Sequence, residues 1–137
     1  MIGIVIASHG HLAEEFLATA RQIIGDISAI ATCSVDPAAS AETLKNNLRE
    51  ALKTVDDGDG VIVFADLVGG SPCTQSLSLC QQAPLEVVTG VNLPMLLKAN
   101  SLRQTVRSLP ELASQLTGYG QRSITCATQQ LRERIAG

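Results

Sequence analysis

Aromatic side chains are scarce in this chain. Its 137 residues include two Phe, one Tyr and no Trp, although 45% of them are hydrophobic. The core must therefore be built from Ile, Leu, Val and Ala, a composition typical of a parallel sheet covered by helices. A chain of this length buries enough apolar surface to fold without metal or disulfide cross-links, and we expect one domain over residues 1–137.

Clustered positive charge is also absent. Ten Lys and Arg are dispersed among 13 Asp and Glu, so the net charge is −3, which argues against nucleic acid or an anionic membrane as the main partner. The apolar N-terminal run is too short to cross a bilayer and lacks a basic leader, so we expect a cytoplasmic protein. The four cysteines form no C-x-x-C pair, which argues against a zinc site or a redox motif.

Apolar runs alternate with helical periodicity through most of the chain. Short apolar runs predict buried strands at residues 2–7, 27–35, 61–67 and 85–90. Helices are predicted over 12–24 and about 40–55, from an N-cap at Ser71, and from Pro94 onward with breaks at 108–110 and Gly118. This alternation predicts an α/β three-layer sandwich with a mostly parallel sheet and right-handed crossovers.

The segment "RSITCAT", residues 122–128, does not fit the alternation. It follows a long helical section and is half polar, so we interpret it as an edge strand, either of this subunit or of a neighbour. Residues 129–137 form a polar tail with the pattern of a short terminal helix.

Polar residues follow each of the four buried strands. Because the carboxyl ends of parallel strands share one edge of the sheet, these residues are expected to form a single rim. In chain order they are Ser8, His9, Gly10 and His11, then Asp36, then Asp66 with Gly69, Gly70 and Ser71, and finally Asn92.

This rim has the parts needed for phosphoryl transfer. An imidazole such as His9 can attack phosphorus through one ring nitrogen when a carboxylate holds the N–H of the other, and Asp66 is the only acid that follows the third strand. Backbone N–H groups of Gly69, Gly70 and Ser71 at a helix N-terminus would bind the transferred phosphate. Ser8, Asp36 and Asn92 are further candidates on the rim.

Each of these motifs also has a purely structural interpretation. His9 and Asp66 could cap helices or turns, and G-G-S-P is also an ordinary loop-to-helix junction. His11 is interpreted as a solvated residue of the first helical turn, with Glu14 on the same side. The H-x-H spacing supplies only two ligands, so no metal site is expected.

Three stretches together resemble a known family. "GIVIASHGHLAEEFLATARQIIG", "VFADLVGGSPCTQS" and "VTGVNLPMLL" resemble, in order and spacing, the mannose-type IIA component of the phosphoenolpyruvate-dependent sugar phosphotransferase system. The resemblance implies that His9 takes a phosphoryl group from the carrier protein HPr and passes it to a IIB protein. It also implies that Asp66 orients His9 and that the turn containing Ser71 binds phosphate.

The resemblance further implies a homodimer in which an antiparallel edge strand, here residues 122–128, is exchanged between subunits. It implies a covalent phosphohistidine and no separate cofactor. The IIB partner is expected on a separate chain, with indirect membrane association through IIC and IID components. Leu67 and Val68 depart from the polar-aromatic pair that often follows the aspartate, which affects the fit of partners more than the transfer step.

Two other functions agree with the same residues. One is a regulatory module that takes phosphate on His9 without serving a sugar permease. The other is a flavodoxin-like domain that binds an anion at the rim without chemistry.

Overall fold

Four strands form a single sheet at the centre of the protein, in a computed structural model that describes all of residues 1–137. The strands are β1 (Gly3–His9), β2 (Ile30–Val35), β3 (Val61–Ala65) and β4 (Leu85–Thr89). They lie in the order β2-β1-β3-β4, and each neighbouring pair is parallel. The central strands β1 and β3 are buried almost throughout because both of their faces are covered. The predicted α/β class and parallel sheet are confirmed.

Five helices pack against the two faces of this sheet. They are α1 (Leu12–Ile24), α2 (Ala41–Val55), α3 (Ser71–Ser78), α4 (Leu93–Leu102) and α5 (Leu109–Arg122), and a sixth helix, α6 (Ala127–Ala136), follows them without burying any residue. Ile4 and Ile6 of β1 pack in one hydrophobic cluster with α1, α4 and α5. Val5 and Ala7 pack in a second cluster with α2, so successive side chains of β1 alternate between the layers. None of the helices is both long enough and apolar enough to span a membrane.

The predicted strand over residues 122–128 does not form in the single chain. Helix α5 continues through Arg122, and α6 begins at Ala127 after a short connection. A strand needs a neighbour to pair its backbone N–H and C=O groups, and this segment has none within the chain. The sequence from Ala127 onward is rich in helix-forming residues, so it forms the terminal helix that the tail pattern indicated.

Two helix boundaries differ from those predicted. Helix α3 begins at Ser71, so its N-cap is Gly70 and not Ser71. Gly118 does not interrupt α5, because Leu112 and Leu116 on the same helix are fully buried in the core. Burial of two leucines outweighs the cost of about 1 kcal/mol for glycine within a helix.

Arg103 lies directly after α4 and is fully buried. Its guanidinium donates hydrogen bonds to the carbonyl oxygens of Ile2 at 3.0 Å and Ala29 at 3.1 Å. These carbonyls precede β1 and β2, so one side chain joins the starts of two strands to the end of α4. Burial lowers the pKa of this guanidinium, and no carboxylate forms an ion pair with it. The side chain therefore stabilises the fold by satisfying buried carbonyl groups.

Replacing Arg103 with Met should lower the free energy of unfolding by about 2–4 kcal/mol, because buried carbonyls lose their donors. Urea denaturation measures this loss. Arg107→Met is the matched control, since Arg107 is exposed and makes no hydrogen bond within the chain, and it should change stability by less than about 0.5 kcal/mol. An Arg103→Met variant as stable as the wild type would contradict this role.

Candidate functional site

The pairing of β1 with β3 brings His9 and Asp66 together. Ala7 and Ala65 lie opposite each other in the parallel ladder. His9 ends β1 two residues later, and Asp66 directly follows β3. The two residues therefore leave the sheet side by side at its carboxyl edge, where α/β sheets collect functional groups.

The carboxylate of Asp66 binds both the backbone and the imidazole ring of His9. The backbone N–H of His9 donates to Asp66 Oδ2 at 2.9 Å, and ring Nδ1 lies 2.7 Å from the same oxygen. The backbone N–H of Leu67 donates to the other oxygen, Oδ1, at 2.9 Å. The Asp66 side chain is 8% exposed and that of His9 is 48% exposed. The carboxylate is thus enclosed, while the imidazole remains accessible.

The charge of Asp66 determines which ring nitrogen of His9 carries the proton. Burial raises the pKa of Asp66, but hydrogen bonds from the backbone and ring of His9 and from the Leu67 N–H outweigh burial and keep it below the ordinary value. An ionised carboxylate only accepts hydrogen bonds, so Nδ1 of His9 must carry the proton that it donates. In the neutral ring, Nε2 then bears the free lone pair.

The N-terminus of α3 lies against the His9 ring. Gly69 has a φ of +83°, a left-handed conformation that favours glycine. Gly70 packs so closely that a Cβ at this position would lie 3.3 Å from His9 Nε2. The backbone N–H groups of Gly69, Gly70 and Ser71 donate no hydrogen bond within the chain. Free donors at a helix N-terminus therefore lie close to Nε2 of His9.

The side chains of the other predicted rim residues accept hydrogen bonds from nearby backbone N–H groups. Ser8 is fully buried, and its Oγ accepts the backbone N–H of Ala13 at 2.7 Å. Asn92 caps α4 by accepting the backbone N–H of Met95 at 3.0 Å. Asp36 is exposed beyond β2 and accepts the N–H of Ala38. The structure therefore places these three side chains in capping and turn roles.

His11 takes no part in the hydrogen bonds of this site. Its side chain is 84% exposed, and Nδ1 lies 3.6 Å from Glu14 of the first turn of α1. This is the placement expected for a solvated residue at the helix start. No three His, Cys, Asp or Glu side chains lie together as a group that could hold a metal ion.

Exposed apolar side chains follow the same strand ends. Leu12 is 46% exposed, Leu67 51% and Val68 74%. Sequence reasoning singled out Leu67 and Val68 only as a departure from a family pattern, and it missed Leu12, which has the spacing of a core position in α1. Exposed apolar groups of this size, gathered at loops that follow strand ends, are typical of a protein-binding surface.

Comparisons with known proteins agree with this geometry. The family model described as "PTS system fructose IIA component" matches residues 3–126. The chain belongs to this family. It is 31% identical over 136 residues to the "PTS system mannose-specific EIIAB component" of Escherichia coli strain K12, covering 98% of this chain but only 42% of that protein. The chain thus spans less than half the length of this curated relative.

Other relatives match over nearly their full length. The "PTS system fructose-specific EIIA component" of Bacillus subtilis strain 168 is 25% identical, with 97% of this chain and 91% of that protein covered. The solved mannose/sorbose-specific IIA subunit from Enterococcus faecalis is 32% identical, with a TM-score of 0.83. The match covers 91% of this chain and 93% of that one. An EIIA structure from Streptococcus agalactiae, 23% identical with a TM-score of 0.86, shares the fold. These similarities agree with membership of the IIA family.

Replacing Asp66 with Asn should lower stability by an amount that depends on pH. Because folding lowers the pKa of Asp66, its carboxylate stabilises the protein fully above the unfolded value of about 3.9. That contribution is lost as the pH falls through the lower folded pKa. Urea denaturation should show a deficit on the order of 1 kcal/mol above about pH 5, shrinking below about pH 4. A deficit that stays constant down to about pH 2 would contradict this effect.

Proposed function

We propose that this IIA protein is a phosphocarrier of a sugar uptake system, in which His9 accepts a phosphoryl group from phospho-HPr and passes it to a IIB protein. The observation that carries the proposal is the orientation of the His9 ring. Asp66 holds Nδ1 at 2.7 Å, and Nε2 adjoins the free N–H groups at the start of α3. The nucleophile, its positioning acid and a phosphate-binding turn therefore meet at one point.

The transfer step follows from this orientation. The Nε2 lone pair of His9 attacks phosphorus, an N–P bond forms, and the N–P bond of the donor phosphohistidine breaks with its electron pair returning to the donor nitrogen. The phosphorylated ring keeps the Nδ1 proton and becomes cationic, and the Asp66 carboxylate stabilises that charge. The N–H groups of Gly69, Gly70 and Ser71 bind the phosphoryl oxygens. Transfer to the IIB protein reverses these events.

The exposure of the site suits two protein partners that bind in turn. Half of the His9 side chain is accessible, so a donor and then an acceptor can approach Nε2 from solvent. Leu67 and Val68, which directly follow Asp66, supply exposed apolar contact area, and Leu12 at the start of α1 adds to it. The same surface would serve both partners, which excludes their simultaneous binding.

The Bacillus subtilis relative supports a IIB partner on a separate chain. That protein is named as an EIIA component alone, and the match covers 91% of its length, whereas the Escherichia coli relative is named as an EIIAB component. We propose the first arrangement here, in a cytoplasmic protein associated with the membrane indirectly through IIC and IID components. The phosphohistidine is covalent, so no separate cofactor takes part.

Incubation with labelled phosphoenolpyruvate, enzyme I and HPr should phosphorylate the wild type and leave His9→Ala unlabelled. His11→Ala is the matched control and should label normally, because the His11 side chain is 84% exposed and the Asp66 carboxylate binds His9 and Leu67 instead. Asp66→Asn should label about 10- to 100-fold more slowly through loss of the orienting acceptor.

A His9→Ala variant that labels like the wild type would overturn the proposal. Addition of candidate IIB proteins to the phosphorylated wild type tests the second half of the reaction. Label that remains on His9 with every IIB protein of the source organism would favour a regulatory phosphohistidine module over a transport component.

We also propose that the protein forms a homodimer through its C-terminal segment. The outer edge of β4 has no neighbouring strand, and α6 buries none of its residues. Ile124, Leu131 and Ile135 are 57–78% exposed, in and just before α6. Residues 122–128 of a second subunit would supply the missing antiparallel edge strand, and exchange of this segment would bury these side chains.

Sedimentation equilibrium should give the wild type about twice the 14.4 kDa mass of one chain. Ile124→Asp should shift the protein to monomer, because the charge would be buried at the proposed interface. Ile23→Asp is the matched control, an exposed isoleucine of α1, and should remain dimeric. A monomeric wild type, or an Ile124→Asp variant that dimerises equally well, would overturn the proposal.

A further inference from the structure

We infer that Gly70 is a positioning residue for His9, an assignment that rests on the proposed phosphocarrier function. A Cβ added at Gly70 would lie 2.6 Å from Cε1 of the His9 ring and 3.3 Å from Nε2. The first distance is shorter than side-chain carbon contacts in folded proteins allow. Gly70 therefore provides the space in which the imidazole lies while Asp66 holds its other edge.

Backbone conformation does not explain the glycine at this position. Gly70 has φ −79° and ψ 162°, an extended conformation that any residue adopts. Its neighbour Gly69, with φ +83°, is the one that the turn itself requires. Helix capping does not explain Gly70 either, because it is the N-cap of α3 and Ser, Thr, Asn or Asp would satisfy the helix better there. What excludes a side chain is the adjacent His9 ring.

A side chain at position 70 would act on the hydrogen bond between His9 and Asp66. Ordinary contact begins near 3.4 Å, so the ring would have to move by roughly 0.8 Å from a Cβ that is 2.6 Å away. Leu67 Cδ1 lies 3.4 Å from the same Cβ position, already in contact, so the added Cβ has no room to move toward Leu67. The ring is half exposed and can swing toward solvent at little cost to stability. Such a movement would strain the 2.7 Å contact with Asp66 and carry Nε2 away from the start of α3.

Gly70→Ser separates this role from that of a helix cap. Serine is a slightly better N-cap than glycine, which offsets part of any weakening of the His9–Asp66 contact, so the unfolding equilibrium constant from urea denaturation should stay within about fivefold of the wild-type value. The backbone N–H at position 70 is also kept. If Gly70 acted only through its N–H or as a cap, Gly70→Ser would transfer phosphate normally. If the missing Cβ of Gly70 is what allows the His9 ring to lie in position, both Gly70→Ser and Gly70→Ala should transfer phosphate about a hundredfold more slowly, as expected for a misplaced nucleophile.

The ring can be observed without any phosphotransfer. Two-bond ¹H–¹⁵N correlation spectra of the unphosphorylated protein report which nitrogen of His9 carries the proton. The wild type should show the Nδ1–H form, and both Gly70 variants should shift toward the spectrum of Asp66→Asn. Gly118→Ala is the control, since its added Cβ would meet only the end of the Arg122 side chain, and its His9 resonances should match the wild type.

Unchanged His9 resonances in both Gly70 variants would overturn the inference, whatever their labelling rates. Wild-type labelling rates in both would also overturn it. If the wild type itself accepts no phosphoryl group, the proposed function fails, and the spectra still decide whether Gly70 positions the ring. The two failures are therefore distinguishable.

Discussion

The parallel pairing of β1 with β3 determines both which side chains pack in the core and which residues meet at the candidate site. The register that places Val5 opposite Val63 directs both side chains into the cluster under α2. The same register brings the end of β1 beside the end of β3, so that Asp66 reaches both the backbone and the ring of His9. A slip of one residue would turn each apolar side chain to the opposite face and also separate the two polar groups. Hydrophobic burial therefore fixes the distance on which the proposed chemistry depends.

The sequence carried most of this information in local patterns. Apolar runs mark strands that are buried on both faces, and the polar residues after them had to meet at one edge of the sheet. His9 and Asp66 could therefore be predicted as neighbours without coordinates. The roles of Ser8 and Asn92 could not be predicted in this way, because a side chain that follows a strand can either face a ligand or cap the next helix. Their hydrogen bonds to Ala13 and Met95 show that capping prevails here.

Features that depend on distant contacts left no local pattern. Arg103 is one of ten basic residues, and its burial depends on carbonyl groups about 75 and 101 positions away in the chain. The space that Gly70 leaves for His9 arises only when the two loops meet. Residues 122–128 have the composition of a strand, but strand formation requires a neighbour that one chain does not supply. In each case the decisive partner lies far away in the sequence or outside the chain.

The polar groups of the rim divide between those used by the fold and those left free. Ser8, Asp36 and Asn92 are bound by backbone N–H groups, whereas the α3 N-terminus and His9 Nε2 keep their hydrogen-bonding capacity. The loops at residues 8–11, 36–40, 66–71 and 90–92 contain no Lys or Arg. These loops therefore offer backbone dipoles, and no cationic side chain of their own, to a phosphoryl group on Nε2. Such dipoles stabilise the anion by less than a paired full charge does. Weaker binding of this kind suits the proposed carrier role, because the phosphoryl group must leave His9 as readily as it arrives.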